Sequence, residues 1–204
     1  MIYLNSIKKI STLAILFLTL SAYSQSRNWT TETSKDGKST VKYELVKEKK
    51  RTHFFYIAET TAKITLDELD VYLSNTANHK NYIEGTRVTE EFERISDNEW
   101  LSYYYFDAPW PLSNSDLVIK FNRTKQGNKL IFTATAFSSD YKKTKTKRMT
   151  NYKVIYEFEK IDDTTTKITY NADYIPAGRI PKFLIKYWFP EGPAGIVTNI
   201  GLRK

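Results

Sequence analysis

The stretch YYYFDAPWPLSNSDLVIKF, residues 103–121, holds two strand-like runs joined by an abrupt Pro-Trp-Pro corner. Aromatic and β-branched side chains on both sides of the corner suit a pleated, half-buried surface. Neither Pro109 nor Pro111 can donate a ladder hydrogen bond, so the pair forces a bulge and re-aims the strand. Taken alone, such a corner also fits an edge-strand bulge in an unrelated β protein.

Working outward, the same strand signal runs on either side. Val41, Tyr43 and Leu45 alternate with charged residues, and a second strand is expected from His53 to Ala62. Further strands are expected near 86–96, 99–108, 115–125, 129–139, 150–161 and 166–175. Asp97-Asn98, Gln126-Gly127-Asn128 and Asp162-Asp163 mark turns between them, and connections this short make antiparallel hairpins. Parity points one face inward: Leu130, Phe132, Ala134 and Ala136 share a side, as do Val154, Tyr156 and Phe158, and Ile168, Tyr170, Ala172 and Tyr174. With one face apolar and the other wet, something must cover the apolar side.

Two helical patterns are candidates for the cover. Thr65, followed three residues on by Glu68, reads as a capping box ahead of the stripe Leu66, Leu69, Tyr72 and Leu73. Near the end of the chain, IPAGRIPKFLIKYWFPEGPAG, residues 175–195, is a turn and then an amphipathic helix opening on Pro181, a residue suited to the first helical position. Ile180, Phe183, Leu184, Tyr187 and Trp188 form its expected apolar stripe. Pro190 and Pro193 interrupt it, and Ile196, Val197 and Ile200 resume it. Residues 26–40 are polar, a loosely ordered lead-in with Trp29 as its anchor.

The Pro109-Trp110-Pro111 corner, together with the tail Ala177-Gly178-Arg179-Ile180-Pro181, resembles the signature of START (StAR-related lipid transfer) domains. Trp29 ahead of the Lys35–Gly37 turn and the helix around Leu66–Leu73 fall where that family has its opening segment and short helices. The resemblance spans nearly all of the chain after residue 24. One departure stands out: Ser115 occupies the place, ahead of Asp116, where the family usually has Arg. The resemblance implies an α+β helix-grip fold of the Bet v 1-like superfamily, with a curved antiparallel sheet wrapped around a long C-terminal helix. It also implies a hydrophobic cavity between the two, binding or transfer of a lipid or other apolar small molecule, and no catalysis.

Composition bounds the rest. Lys8 and Lys9, the apolar run Ile10–Leu20 and the small residues of Ala22-Tyr23-Ser24 read as a secretory signal peptide over residues 1–24. The expectation is a secreted or periplasmic domain over residues 25–204. The apolar run is shorter than the roughly 20 residues of a membrane span. Without Lys8 and Lys9 the basic count falls from 31 to 29 against 23 acidic residues, leaving +6. That balance favours anionic surfaces. With no cysteine, zinc-thiolate, iron–sulfur and thiol-nucleophile chemistry are excluded, as is a thioether lipid anchor. The GxSxG, HExxH and Gly-rich phosphate-loop motifs are absent too. His53 and His79 lack metal-pair spacing and are expected to be structural, and neither a cofactor nor a metal is expected.

The candidate cavity lining is Tyr104, Phe106, Trp110, Phe132, Tyr156 and Tyr170 from the strands, with Phe183, Leu184, Tyr187 and Trp188 from the closing helix. All ten rest on parity, the helical stripe and the cavity the resemblance implies; solid core packing is the alternative. Lys142, Lys143, Lys145, Lys147 and Arg148 form a basic run, either a solvated loop or a dock for an anionic membrane. The run lacks the interleaved aromatics of a base-stacking platform, so no nucleic acid partner is expected, and the chain reads as a monomer. Two other functions stay open: a cavity enzyme of the cyclase/aromatase kind, and an interaction module with a vestigial pocket.

Overall fold

The computed structural model describes residues 27–108 and 112–204. The expected signal peptide and the Pro109-Trp110-Pro111 corner, with its expected bulge, therefore lie outside the described residues. One ten-stranded sheet dominates: β1 (Thr30–Thr33), β2 (Thr40–Glu48), β3 (Arg51–Ala62), β4 (Thr86–Ser96), β5 (Glu99–Phe106), β6 (Ser115–Gln126), β7 (Lys129–Ala136), β8 (Lys147–Arg148), β9 (Tyr152–Lys160) and β10 (Thr166–Tyr174). Its order is β1-β2-β3-β10-β9-β7-β6-β5-β4, antiparallel throughout, with β8 added in parallel beside β6. The polar lead-in is partly ordered as β1, and Trp29 is 38% exposed rather than an anchor. Arg27 instead lies over the Phe55 ring, 3.4 Å from its centroid.

The parity expected from sequence is carried across the sheet by its register. Tyr56, Ala172, Val154 and Ala134 are successive cross-strand neighbours, and the row continues to Phe121 and Trp100. The next row runs Ala58, Tyr170, Tyr156 and Phe132. Small Ala172, Val154 and Ala134 thus lie beside the rings of Tyr170, Tyr156 and Phe132, and all of these residues are buried.

Helices cover that face. α1 (Leu66–Ser74) opens on the expected capping box: Thr65 Oγ1 accepts from Glu68 N at 3.2 Å, and Thr65 N donates to Glu68 Oε2 at 2.9 Å. Leu66, Leu69, Tyr72 and Leu73 are all buried, against β7 and β9. A 3-10 helix, Thr76–Asn81, then leads into β4 at the far edge of the sheet.

The closing segment is two helices, α2 (Lys182–Trp188) and α3 (Glu191–Leu202), divided at Phe189-Pro190. α3 is the helix the sheet grips. Its Pro193, Ala194, Ile196, Val197 and Ile200 are buried, and it packs on β3, β10 and β2. Gly201 makes the approach close, since a Cβ there would stand 2.7 Å from the Ala62 Cβ.

Candidate ligand site on the concave face

Alternation on β9 and β10 aims Tyr152, Tyr156, Tyr170 and Tyr174 at one space, and β3 adds Phe54 and Tyr56 from its own inward parity. The rings meet there. Tyr156 stands edge-on to Tyr170 at 5.0 Å, Tyr56 stacks with Tyr170 at 5.7 Å, and Tyr152 lies 5.7 Å from Tyr174. Tyr82, just after the 3-10 helix, approaches Tyr156 from above at 6.2 Å. Ring pairs at these distances and angles are attractive beyond their buried area.

Three buried polar atoms of this interior lack a close hydrogen-bond partner: Trp100 Nε1 and the hydroxyls of Tyr82 and Tyr156, which face each other, with the Tyr170 hydroxyl beside Tyr156. A buried hydroxyl left unpaired is destabilising by about 1–3 kcal/mol. Burial pushes both phenols well above the ordinary tyrosine value, so both are neutral at pH 7.

His79 is also fully buried, and it is satisfied. Its Nε2 donates to the Leu73 carbonyl at 2.7 Å, which leaves Nδ1 to accept from the Tyr104 hydroxyl. Burial lowers its pKa to about 4. On the surface His53 bridges Glu48 at 2.9 Å and Asp173 at 2.6 Å. Among the described residues the one buried carboxylate or cation is Asp116, and it faces the opposite side of the sheet.

The expected lining residues divide. Tyr104, Phe132, Tyr156 and Tyr170 are brought together on the concave face, each at most 3% exposed. Phe106 is half-buried against the same cluster, 6.2 Å from Tyr104. Trp188 turns inward, edge-on to Tyr56 at 5.8 Å, and Leu184 is half-buried. Phe183 and Tyr187 do not join them: they are 67% and 87% exposed. The inward side of α2 belongs to Ile185 and Trp188, continued by Phe189, which stacks on Tyr43 at 4.4 Å. With only Lys182 and Lys186 polar in residues 182–189, two apolar arcs compete, and packing of Ile185 and Phe189 selects the second.

Tyr56, Tyr82, Tyr152 and Phe189 also face this interior without having been expected there, whereas His79 has the structural role expected of it. Tyr56 and Tyr152 were within reach, since they share parity with Phe54 and with Val154. Tyr82 and His79 sit in an irregular connection without periodicity.

The basic run also divides. Arg148 is no surface charge: its Nε and Nη2 donate to the two Asp116 carboxylate oxygens at 3.1 and 2.8 Å. It also donates to the Ser139 and Tyr141 carbonyls at 2.6 and 2.8 Å. The loop it holds straps the convex face, where Tyr141 stacks on Phe92 at 3.8 Å. Lys142 pairs with Glu90, and Lys143 with Asp140. Arg148 thus supplies from another segment the charge that Ser115 does not. A cleft of about 440 Å³ lies beside this pair, and a second of about 460 Å³ lies between Ser74–Ala77 and β4.

No family model matches the sequence, and no curated protein matches it either. The fold does have counterparts. It is similar to human STARD10, with a TM-score of 0.70 and 18% identity over 86% of this chain and 73% of that one. A STAR-related lipid transfer protein from Xanthomonas axonopodis gives 0.68 and 21% over 85% and 97%. The Zhui aromatase/cyclase from Streptomyces sp. R1128 gives 0.53 and 7% over 73% and 92%. A gripped C-terminal helix, a curved antiparallel sheet and an aromatic interior between them make this the helix-grip fold of the START domains.

Proposed function

We propose that this protein binds a neutral, largely apolar molecule between the concave face of the sheet and the α2–α3 cover. The ligand carries a hydroxyl or carbonyl that meets Tyr82 and Tyr156. The observation that carries the reading is the pair of buried phenol hydroxyls, Tyr82 and Tyr156, that face each other without a close hydrogen-bond partner in an interior made mainly of rings and aliphatic groups. An acyl chain or ring system placed there gains about 25 cal/mol per Å² of apolar area. Among the described residues the interior offers no cation for a carboxylate or phosphate, so charged lipids are disfavoured as internal ligands. The fold's likeness to lipid transfer proteins supports a lipid as the ligand class, and uptake or transfer as the role.

Access requires movement, because the rings now touch one another. Trp188 on α2 is the natural element to swing, since it closes over Tyr56 from a short helix whose other face is in water. Binding without chemistry is favoured over a cyclase-like role. His79 is neutral, and both of its ring nitrogens are engaged. The signal peptide expected over residues 1–24 supports action outside the cytoplasm. The close ring contacts also favour a second reading, in which the interior is core alone.

Uptake of a fluorescent sterol, a fluorescent diacylglycerol and a fluorescent fatty acid, with native mass spectrometry of the purified protein, separates the two. The ligand reading expects a co-purified neutral molecule and uptake of neutral probes over the fatty acid. Tyr82→Phe and Tyr156→Phe should each weaken uptake roughly three- to tenfold, yet stabilise the empty protein by about 1 kcal/mol. A ligand-free mass, with no uptake of any neutral probe, overturns it.

A further inference from the structure

The outward face of α2 has no role in the interior. Lys182–Lys186 and Phe183–Tyr187 are two adjacent ridges with i, i+4 spacing, and all four side chains are exposed. Tyr187 at 87% and Phe183 at 67% are the first and third most exposed large hydrophobic residues described. Arg179 is exposed just before the helix. From Tyr174 to Pro190 the chain contains three basic residues and no acidic one. Among the described residues none of Arg179, Lys182 and Lys186 makes an ion pair.

We infer that this face docks the protein on an anionic lipid bilayer. Phe183 and Tyr187 would enter the headgroup boundary, and Arg179, Lys182 and Lys186 would lie against the lipid phosphates. Aromatic rings flanked by long cationic side chains fit that boundary: the rings bury apolar area while the charged ends remain hydrated. A second copy of this chain is a poorer occupant, because a two-fold pairing of this face sets the cations of the two copies against each other. Contact is peripheral, since no described helix is long and apolar enough to cross a membrane.

The basic loop is a weaker dock. Arg148, Lys142 and Lys143 are engaged with carboxylates, which among the described residues leaves only Lys145 and Lys147 of the run without an ion pair. The inference does not rest on the internal ligand. It does, however, put the membrane against the helix that carries Trp188.

Co-sedimentation with phosphatidylcholine vesicles, with and without phosphatidylglycerol, tests it. Binding to the anionic vesicles is expected. Lys182→Gln/Lys186→Gln should lower the partition coefficient roughly 30-fold, the combined effect of two interfacial charges. Phe183→Ser/Tyr187→Ser should reduce it at least about tenfold. Lys145→Gln/Lys147→Gln in the loop should leave it within about twofold. The substituted side chains are all exposed, and matching thermal unfolding checks that each variant folds. Equal binding to neutral vesicles, full binding by the α2 variants, or loss only in the loop variant overturns the inference. So does a stable dimer in light scattering that Phe183→Ser/Tyr187→Ser dissociates.

Discussion

A carboxylate as deeply buried as Asp116, 1% exposed, is tolerated only if a cation pairs with it and its lone pairs are occupied. Arg148 does both with a forked pair of hydrogen bonds, and its remaining donors fix two carbonyls of the loop that crosses the convex face. Arg148→Ala should therefore cost about 3–5 kcal/mol in urea unfolding, far above a surface ion pair. Arg148→Lys should recover only part of this, because an ammonium cannot span both oxygens and the two carbonyls. A loss below about 1 kcal/mol for the alanine variant would show the pair to be incidental. The pairing was hidden in sequence: Arg148 stands 32 positions from Asp116 within a run of lysines, and nothing in its spacing distinguishes it from its neighbours. The corner at Ser115 showed only that the usual neighbouring Arg was absent.

At the level of elements, α1 and α2 differ in how well they could be read. The capping box and one clean apolar stripe fixed both the start and the buried side of α1. In α2 the residues are apolar almost all round, so periodicity fixed a helix without fixing which arc faced inward. Trp188 sits on the arc that Ile185 and Phe189 turn inward, and its indole lies against the bare Cα of Gly192 in the next helix. A Cβ there would come within 1.9 Å of Trp188 Nε1. Two effects oppose each other in Gly192→Ala. Helix propensity favours the alanine by about 1 kcal/mol, whereas displacing a packed indole costs about 1–3 kcal/mol. The clash should win, giving net destabilisation and a red-shifted tryptophan emission as Trp188 leaves its site. In a Trp188→Ala background the same substitution should become neutral or stabilising, because the obstacle has gone. Stabilisation by Gly192→Ala alone would mean that the indole does not occupy this seat.

Across the whole molecule, the inward face of the sheet was legible because a period of two is local: each strand declares its own buried side. The pairing of β3 with β10 was not, since it joins the two ends of the chain and no short turn marks it. His79 belongs with that second kind of information, in an irregular connection and buried only because α1, β5 and β6 close around it. Its burial couples the stability of the entire domain to pH. The folded-state pKa is about 4, against 6.5 for the free side chain, so the unfolded chain takes up a proton that the folded one refuses. Well above pH 6.5 both states are neutral at this site and no penalty exists. As pH falls through 6.5 toward 4, stability should drop by up to about 1.4 kcal/mol per pH unit, with a ceiling of about 3.4 kcal/mol. Below pH 4 the folded state protonates as well and this contribution levels off. His79→Gln keeps a polar partner for Tyr104 and removes the titration. Its unfolding free energy between pH 7.5 and 5 should be lower overall but flatter than that of the parent chain. Parallel slopes in the two proteins would mean that His79 is not the group whose protonation the fold resists.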